Sequence, residues 1–355
     1  MKTKSFFTKL TQWEYWPSAM FYVPVLPYAF YKAARIKSMT FFLNVNPAIK
    51  NSGDGTESKY KTLLLVPKKH RPKAVLISVN EEFSLVKDKV KKEKIDYPLI
   101  AKPDLGFRGL LVKKIDSEND LKHYLQKNNS IEIIIQEFVD YKEECGLFYY
   151  RLPNQDKGKI TSITLKKFLT VTGNGKSTLS ELIIADKRAF LYYDILQNIH
   201  KEKMQSIPLK GKKIVLTVIG NHSKGTQFLN GNHLISKEIE ASFDKLNKQM
   251  EGWFYGRLDI KYNSFDELKK GENFKVLEIN GILAEPTHIY DASIKGATYF
   301  KAVNAIKNNW KIVSIIAVQN RKNLNLKSPK PLDYIKQMLE LRKYAKKITL
   351  LNDNN

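Results

Sequence analysis

The amino-acid sequence predicts a mixed α and β fold, and three observations lead to that prediction. Short apolar runs, such as 74–79 and 131–139, have the length of buried strands. Charged segments, such as 81–94, have the length and composition of surface helices. The two kinds of segment alternate along the chain without an internal repeat or low-complexity tract. With 355 residues the chain can bury a large core, so we expect two or three subdomains.

Composition narrows the class of protein. The formal net charge of +24 favours an anionic partner, but the lysines are spread along the chain, so nucleic acid binding is not expected. The single cysteine, Cys145, excludes an internal disulfide framework and fits a reducing, cytoplasmic compartment. The N-terminus lacks the pattern of a signal peptide. The most apolar segment, 20–30, is interrupted by Pro24 and Pro27, so we expect no spanning helix.

Residues 1–50 are unusually aromatic and basic. Tryptophan and tyrosine mixed with lysine and arginine are typical of an interfacial membrane segment, here at the inner face of the membrane. The alternative, which we favour, is a pair of packed helices that cover a sheet edge. The next segment, 51–59, is rich in Gly, Ser and Asn, and its composition predicts a flexible polar loop.

The remaining elements follow in order from hydrophobic pattern and turn residues. Strands are expected at 74–79, 97–103, 110–115, 131–139, 146–152, 159–169 and 213–219. Helices are expected at 81–94, after the N-cap Ser117, after Ser177, at 187–202 and at 331–348. A tight glycine hairpin, 104–109, joins the second and third strands.

Two strand-like runs in the C-terminal third carry the chemistry of a metal site. They are G-R-L-D-I-K-Y at 256–262 and F-K-V-L-E-I-N-G at 274–281. Residues two apart on a strand face the same way, so Arg257 lies beside Asp259, and Glu278 beside Asn280. If the runs pair, one cation and three oxygen ligands meet on one surface. Such hard ligands suit Mg²⁺, which usually also holds substrate phosphates. The alternative is an edge hairpin with surface charges.

Three other segments contain residues suited to phosphate or nucleotide binding. Lys102 ends a strand just before Gly106 and Gly109, where a lysine can reach a phosphate while backbone N–H groups close over it. The buried strand 131–139 runs into the acidic turn 140–146, which can meet an adenine edge and ribose hydroxyls. V-T-G-N-G-K-S-T at 171–178 invites a P-loop interpretation, which we reject because Thr170 stands where the pattern needs glycine.

In this order, the phosphate lysine, the glycine hairpin, the glutamate-ending strand and the Asp…Glu-x-Asn pair resemble the ATP-grasp superfamily. Within it, the chain resembles the carboxylate–amine ligases related to D-alanine–D-alanine ligase. The resemblance spans about residues 80–300, and G-R-L-D…E-I-N-G is its most specific part. The segment 173–183 also resembles the large loop of the amino-acid and peptide ligase branch. The resemblance implies an α+β ATP-grasp fold, with two α/β subdomains that clasp ATP, and an ADP-forming ligase that uses an acyl-phosphate.

The resemblance also implies roles for individual residues. The residues implied for ATP are Lys102, Gly106, Gly109, Glu137, Phe138, Val139, Glu144 and Lys166, with Glu143 as the alternative to Glu144. The residues implied for Mg²⁺ are Asp259, Glu278 and Asn280. The residues implied for catalysis are Arg257 and Lys167, and either Lys166 or Lys167 would approach the γ-phosphate or the ribose side. Glu285 follows the second metal strand directly, and this position makes it a candidate catalytic base for an amine. An earlier lysine usually contributes, and the choice between Lys87 and Lys89 stays open.

The substrate side is less defined. The residues expected to contact substrate are Lys176, Ser177, His222, Lys224, His288 and Tyr290. We expect a small carboxylate and an amine as substrates, such as an amino acid, and a homodimer is an open alternative. The second hypothesis is a non-catalytic protein that uses its basic surface on an anionic membrane or nucleic acid.

The expected division of the chain has four parts. An N-terminal region, 1–79, is a reduced form of the domain that usually precedes an ATP-grasp unit. A lid subdomain at 80–142 and a catalytic subdomain at 143–320 follow, and a helical tail at 321–355 ends the chain.

Overall fold

The computed structural model describes residues 12–107, 109–217, 220, 225–294 and 296–353. The strands are β1 (Ala74–Ile77), β2 (Leu99–Pro103), β3 (Lys113–Ile115), β4 (Ile133–Glu137), β5 (Glu143–Tyr150), β6 (Lys159–Lys167), β7 (Thr170–Thr172), β8 (Lys213–Val215), β9 (Gln227–Asn230), β10 (Tyr255–Tyr262) and β11 (Phe274–Asn280). The helices are α1 (Ala19–Tyr22), α2 (Leu26–Ile36), α3 (Lys59–Leu64), α4 (Phe83–Lys92), α5 (Glu118–Lys127), α6 (Leu179–Ala185), α7 (Tyr193–Ile199), α8 (Lys237–Lys248), α9 (Phe265–Lys270), α10 (Tyr299–Asn323) and α11 (Pro331–Asp353). The predicted mixed α and β class is therefore confirmed.

The first sheet has four antiparallel strands in the order β1-β4-β2-β3. Helices α4 and α5 cover it, and Ile348 of α11 joins the same core. Helix α5 begins as predicted, because the Ser117 hydroxyl accepts a hydrogen bond from the Asp120 N–H at 3.2 Å. Strand β1 lies before the expected lid boundary at residue 80, and it pairs with β4 inside this sheet.

The second sheet has five antiparallel strands in the order β11-β10-β5-β6-β9. Helix α8 packs one apolar side against it, where Phe243 joins the buried side chains of Tyr149 and Trp253. Burial of such large aromatic side chains is a major stabilising term for this half of the protein. The opposite face of β10 is polar and looks into the cleft between the two sheets.

The N-terminal region packs onto the long helix α10. Phe21 of α1 contacts a cluster that contains Ile306, and Phe41 packs with Trp310 and Val313. Within the described part of the chain, no helix is long and apolar enough to cross a membrane. The contacts of Phe21 and Phe41 agree with the favoured expectation of packed helices, although these helices cover α10 rather than a bare sheet edge.

The expectation of a flexible loop at 51–59 is wrong. The side chains of Ser52 and Asp54 are buried, because the segment packs against the end of β11. The Ile282 N–H donates to the Ser52 carbonyl at 3.0 Å, and the Leu283 N–H donates to the Gly53 carbonyl at 3.1 Å. These backbone hydrogen bonds fix a polar sequence that composition alone assigns to a mobile loop.

A smaller unit contains the glycine-rich segment that resembles a P-loop. Strands β7 and β8 pair, and α6 and α7 pack beside them around a separate apolar cluster. Thr178 is the N-cap of helix α6 and forms a reciprocal capping box with Glu181. The expected helix at 187–202 is instead a short 3₁₀ turn followed by α7 and a second 3₁₀ turn.

Candidate active site

A cleft of about 910 Å³ lies between the four-stranded and five-stranded sheets. Strands β2 and β4 supply one wall, and β10 and β11 supply the floor. Lysine and arginine side chains from both sides face it, namely Lys59, Lys102, Lys114, Lys166, Arg257 and Lys261. Seven acidic residues line it as well, namely Glu14, Glu57, Glu137, Glu144, Asp259, Glu278 and Glu285, so the cleft carries charges of both signs.

The floor of the cleft has the register that the sequence predicts. Strands β10 and β11 pair antiparallel, with Arg257 opposite Asn280 and Asp259 opposite Glu278. Directly opposed residues point to the same face of a sheet. The predicted meeting of one cation with three oxygen-bearing side chains is therefore confirmed as geometry.

Asp259 is the electrostatic centre of this floor. Its two carboxylate oxygens accept hydrogen bonds from Arg257 Nε at 2.8 Å and Arg257 Nη2 at 3.2 Å. Lys166 Nζ lies 3.7 Å from the same carboxylate. Burial alone would raise the pKa of Asp259, but the charges of Arg257 and Lys166 outweigh it and hold the pKa at about 2. The carboxylate is thus ionised at any working pH.

A lysine that sequence reasoning missed pairs with the other floor carboxylate. Lys59, in the first turn of α3, donates a hydrogen bond to Glu278 and forms an ion pair with it. Burial lowers the pKa of Lys59. Its only local signal is a position just after the N-cap Ser58, and nothing in the sequence connects it with a residue 219 positions away.

Lys102 lies in the cleft as expected. Its Nζ donates to the Leu277 carbonyl at 3.3 Å. Burial, with the like charge of Lys59 nearby, lowers the pKa of Lys102 to about 7. By contrast, Lys87 and Lys89 do not line the cleft, because they pair on the outer surface with Glu118 and Glu81. The earlier cleft lysine is therefore Lys59, and this corrects the open choice between Lys87 and Lys89.

The phase of strand β6 decides between its two terminal lysines. Lys166 is buried and pairs with the buried Glu144 at 2.6 Å. Burial opposes its charge, but Asp259 and Glu144 raise the pKa of Lys166 above its usual value. Lys167 points to the opposite face, is exposed and does not line the cleft. The same alternation leaves Glu143 exposed and turns Glu144 inward.

The segment that links the two sheets brings together the three residues expected at an adenine ring. Glu137, Phe138 and Val139 all line the cleft. The Phe138 ring is contacted by the ammonium groups of Lys114 at 5.2 Å and Lys261 at 5.4 Å from the ring centre. Lys261 Nζ also donates to the Val139 carbonyl at 3.1 Å. This wall is apolar at its centre and has carbonyl acceptors at its edge.

The glycine hairpin lies at the rim. Gly106 and Gly109 line the cleft, and a side chain at Gly106 would come within 3.1 Å of Lys59 Cε. Gly109 has a φ of +78°, which favours glycine. The absence of a side chain at Gly106 therefore leaves room for the lysine beside it.

The expected substrate residues separate into three groups. Glu285 and Tyr290 line the cleft, the Tyr290 hydroxyl donates to Glu285 Oε2 at 3.1 Å, and Arg257 Nη1 donates to the Glu285 carbonyl at 3.0 Å. His288 does not line the cleft, and burial lowers its pKa to about 4. Lys176 and Ser177 lie on a loop that does not line it either. His222 and Lys224 lie outside the described residues.

The floor residues fit a magnesium ion. In the described ranges, no group of three or more His, Cys, Asp or Glu residues could hold a metal. The floor offers two carboxylates and one amide on adjacent strands, with Asp259 directly opposite Glu278. Mg²⁺ typically takes one or two protein carboxylates and completes its shell with water and substrate phosphates. The donor set is therefore of the kind that holds Mg²⁺ together with a polyphosphate.

No family model and no curated protein matches the sequence. Among solved structures, the chain is similar to a bifunctional glutathione synthetase from Pasteurella multocida, with 16% identity and a TM-score of 0.39, over 71% of this chain and 36% of that one. It is also similar to D-alanine–D-alanine ligase from Bacillus anthracis, with 13% identity and a TM-score of 0.40, over 75% of this chain and 67% of that one. A third neighbour is VanG D-Ala:D-Ser ligase from Enterococcus faecalis, with 13% identity and a TM-score of 0.41, over 74% and 60%.

This chain spans about a third to two thirds of the length of these solved proteins. Two of these three proteins are ligases by name.

Proposed function

We propose that this protein is an ATP- and Mg²⁺-dependent ligase that joins a carboxylate to an amine through an acyl-phosphate. The observation that carries the proposal is the alternation of fixed charges on the cleft floor. Arg257, Asp259, Lys166 and Glu144 form a continuous series of contacts, and Lys59 pairs with Glu278 beside it. A triphosphate with its metal carries both signs of charge, and this floor offers partners for each.

The nucleotide would lie with its base against Phe138 and Val139 and its phosphates toward Lys59 and Lys102. The Glu144 carboxylate would accept hydrogen bonds from the ribose hydroxyls, and Gly106 and Gly109 would let the hairpin backbone approach the phosphates. Asp259, Glu278 and Asn280 would hold Mg²⁺, which when bound neutralises phosphate charge. Lys59 would then move its ammonium from Glu278 to a phosphate oxygen, since both are anionic partners within its reach.

The ligation reaction would proceed in two steps. A substrate carboxylate oxygen attacks the γ-phosphorus, the bond from that phosphorus to the bridging oxygen breaks, and ADP leaves. An amine nitrogen then attacks the carbonyl carbon of the acyl-phosphate, and inorganic phosphate leaves as the amide forms. Arg257 would stabilise the oxyanion of the tetrahedral intermediate, because Asp259 holds its guanidinium in place. Glu285 would take the proton that the amine loses.

The test is a phosphate-release assay with ATP, Mg²⁺ and a panel of amino acids and amines. Asp259→Asn and Glu278→Gln each remove one floor carboxylate while keeping its size. We expect turnover to fall by about a hundredfold or more for both variants. The matched control is Asp266→Asn, an exposed carboxylate of α9 that pairs with Lys269. Unchanged turnover in Asp259→Asn and Glu278→Gln would show that the assignment is wrong.

A second observation favours contact with an anionic membrane in addition to catalysis. Val23, Phe30 and Phe300 are exposed large apolar side chains, and Lys32 and Arg35 belong to the same helix as Phe30. Apolar side chains next to basic ones are typical of interfacial helices. In a flotation assay with anionic vesicles, we expect a larger fraction of the wild-type protein to float than of the double variant Phe30→Ser/Phe300→Ser. Strong, salt-sensitive binding together with no affinity for ATP would instead favour the non-catalytic hypothesis.

The boundaries of the proposed subdomains also follow from these contacts. The lid at 80–142 would include β1 as well, because that strand pairs with β4, and the tail at 321–355 would brace the lid through Ile348. A cytoplasmic location, a homodimer and the absence of nucleic acid among the partners stay predictions from the sequence.

A further inference from the structure

A second cavity, of about 490 Å³, lies beside the cleft. Helix α10, the N-terminal helix α1 and the loop after β11 enclose it. It shares Ser18, Leu283, Ala284 and Glu285 with the cleft, so the two spaces meet at the wall that carries Glu285. A molecule in this cavity would therefore reach the part of the cleft next to Arg257, whose Nη1 donates to the Glu285 carbonyl.

The walls of this cavity are aromatic. The rings that line it belong to Tyr22, Phe42, Tyr255, Trp310 and Tyr334. Phe42 packs edge-on against Trp310, with ring centres 6.0 Å apart, and against Tyr334 at 5.6 Å. Such walls suit an apolar body, and their ring faces also attract a cation.

The charges of the cavity have one sign. Asp54 and Glu285 are the ionisable acids among the described lining residues, and no lysine, arginine or histidine lines it there. This contrasts with a chain whose formal net charge is +24. Arg257 lies beside Glu285 on the cleft side, but no cation lines the cavity in the described residues, so its two carboxylates repel an anion and attract an ammonium group.

Asp54 has an acceptor oxygen that the described protein leaves unused. Its side chain is 2% exposed. The Oδ1 atom accepts hydrogen bonds from the Thr56 N–H at 3.0 Å and from the Thr56 hydroxyl at 2.6 Å. The buried Oδ2 atom has no hydrogen-bond partner among the described residues. A buried carboxylate oxygen without a donor is unfavourable, so a ligand that supplies the donor gains binding free energy at this atom.

We propose that this cavity binds a primary ammonium compound with an apolar body. The ammonium group donates to Asp54 Oδ2, and the apolar body lies against the aromatic walls. The other end of a longer substrate then reaches the cleft at Glu285. The inference deepens the proposed function, since it names the class of substrate that the ligase would take, but binding in the cavity requires no ATP.

The test uses three probes of nearly equal shape, without nucleotide, by calorimetric titration of the full chain. They are 2-phenylethylamine, 2-phenylethanol and 3-phenylpropionate. We expect the amine to bind at least about tenfold more tightly than the alcohol, because a charge-assisted hydrogen bond replaces a neutral one. The carboxylate should not bind. Equal affinity for the three probes, or no saturable binding of the amine, would overturn the proposal.

Two variants make the test specific. Asp54→Asn keeps the size of the side chain and an acceptor for Thr56, and it should remove the preference for the amine over the alcohol. Ala19→Trp places a large side chain at the mouth of the cavity, from an exposed position of α1, so it should weaken binding of both the amine and the alcohol. This variant keeps the test decisive even if Asp54→Asn does not fold. Glu118→Gln, which removes a surface partner of Lys87, is the matched control and should leave all affinities unchanged.

Retained amine preference in a folded Asp54→Asn protein would contradict the proposal. So would unaltered amine binding in Ala19→Trp. If the amine binds as expected while no phosphate is released with any substrate, the proposed function fails and the amine site stands. If phosphate is released but the amine binds no better than the alcohol, the amine site is wrong and the proposed ligase function stands.

Discussion

The cleft and the aromatic cavity beside it differ in the charges that line them. Six cationic and seven acidic residues line the cleft, whereas the described lining of the cavity contains two carboxylates and no cation. They share a wall at Glu285 and Ala284. The difference indicates that an anionic nucleotide and a cationic substrate would be sorted by local charge rather than by the net charge of +24. The net charge of the whole chain therefore does not predict the charge of the residues that line each site.

Burial explains how the two charge patterns persist so close together. Interactions between buried charges are screened much less by salt than those between exposed ones. Asp259 has Arg257 and Lys166 as partners, whereas Asp54 Oδ2 has no described donor. One carboxylate is thus part of the protein's own ion-pair network, while the other is available to a ligand.

The largest expected effect comes from Arg257, on the cleft side of the shared wall. Arg257→Met removes the cation that we assign to the oxyanion, so turnover should fall by about 10²–10³-fold while ATP affinity changes little. Steady-state kinetics with a calorimetric measurement of ATP binding would separate the two. Arg35→Lys, an exposed change outside the cleft, is the control. An equal loss of turnover and ATP affinity would instead assign Arg257 to nucleotide binding.

The next effect concerns the phosphate lysine. Lys102→Ala should weaken ATP binding by about 10- to 100-fold, because it removes a charge-assisted hydrogen bond, and should leave binding of 2-phenylethylamine unchanged. Lys167→Ala is the matched control, since this lysine lies on the other face of the sheet. Titrations with both ligands make the comparison. A stronger effect from Lys167 than from Lys102 would contradict the assignment.

ATP affinity should also depend on pH. Burial lowers the pKa of Lys102 to about 7, so the free protein loses this cation as the pH rises above 7. A phosphate group needs the ammonium form, so binding takes up a proton and affinity falls with rising pH, by at most about tenfold per unit. Titrations between about pH 7 and pH 9 measure this dependence. Lys102→Ala should flatten it, and an affinity that rises with pH would refute the account.

The smallest expected effect concerns stability, at the close contact between Gly281 and the segment that carries Asp54. In Gly281→Ala the new methyl group would collide with the Ser52 carbonyl, so the unfolding free energy should fall by about 1–3 kcal/mol. Gly211→Ala is the comparison, because nothing lies within 4 Å of its Cβ and only its φ of +81° is unfavourable. Chemical denaturation should show the larger loss for Gly281→Ala. The reverse order would mean that this contact is not tight.

The sequence predicted the part of the site that depends on local spacing. Asp259 and Arg257 are two residues apart, as are Glu278 and Asn280, so strand periodicity alone puts each pair on one face. Which of the two adjacent residues Lys166 and Lys167 faces the cleft was harder to predict. Only the register of β6 with β5 decides which side chain points into the protein and which points to solvent. One residue of strand phase moves a side chain to the opposite face.

The parts that depend on distant contacts were not predictable in the same way. Lys59 meets Glu278 across 219 positions, and no periodic pattern connects them. Asp54 looks like part of a flexible loop, yet backbone hydrogen bonds to 282–283 bury it. Helix α10 also escaped sequence reasoning, because its 25 residues carry polar and apolar side chains without a clear stripe.

The most direct test of the central claim is a calorimetric titration of the wild-type protein with a non-hydrolysable ATP analogue and Mg²⁺. The account predicts saturable binding to one site, weakened in Lys102→Ala and in Asp259→Asn and unchanged in Asp54→Asn. Binding that is absent from the wild type, or that persists unchanged in both cleft variants, would contradict the assignment of the cleft to a nucleotide.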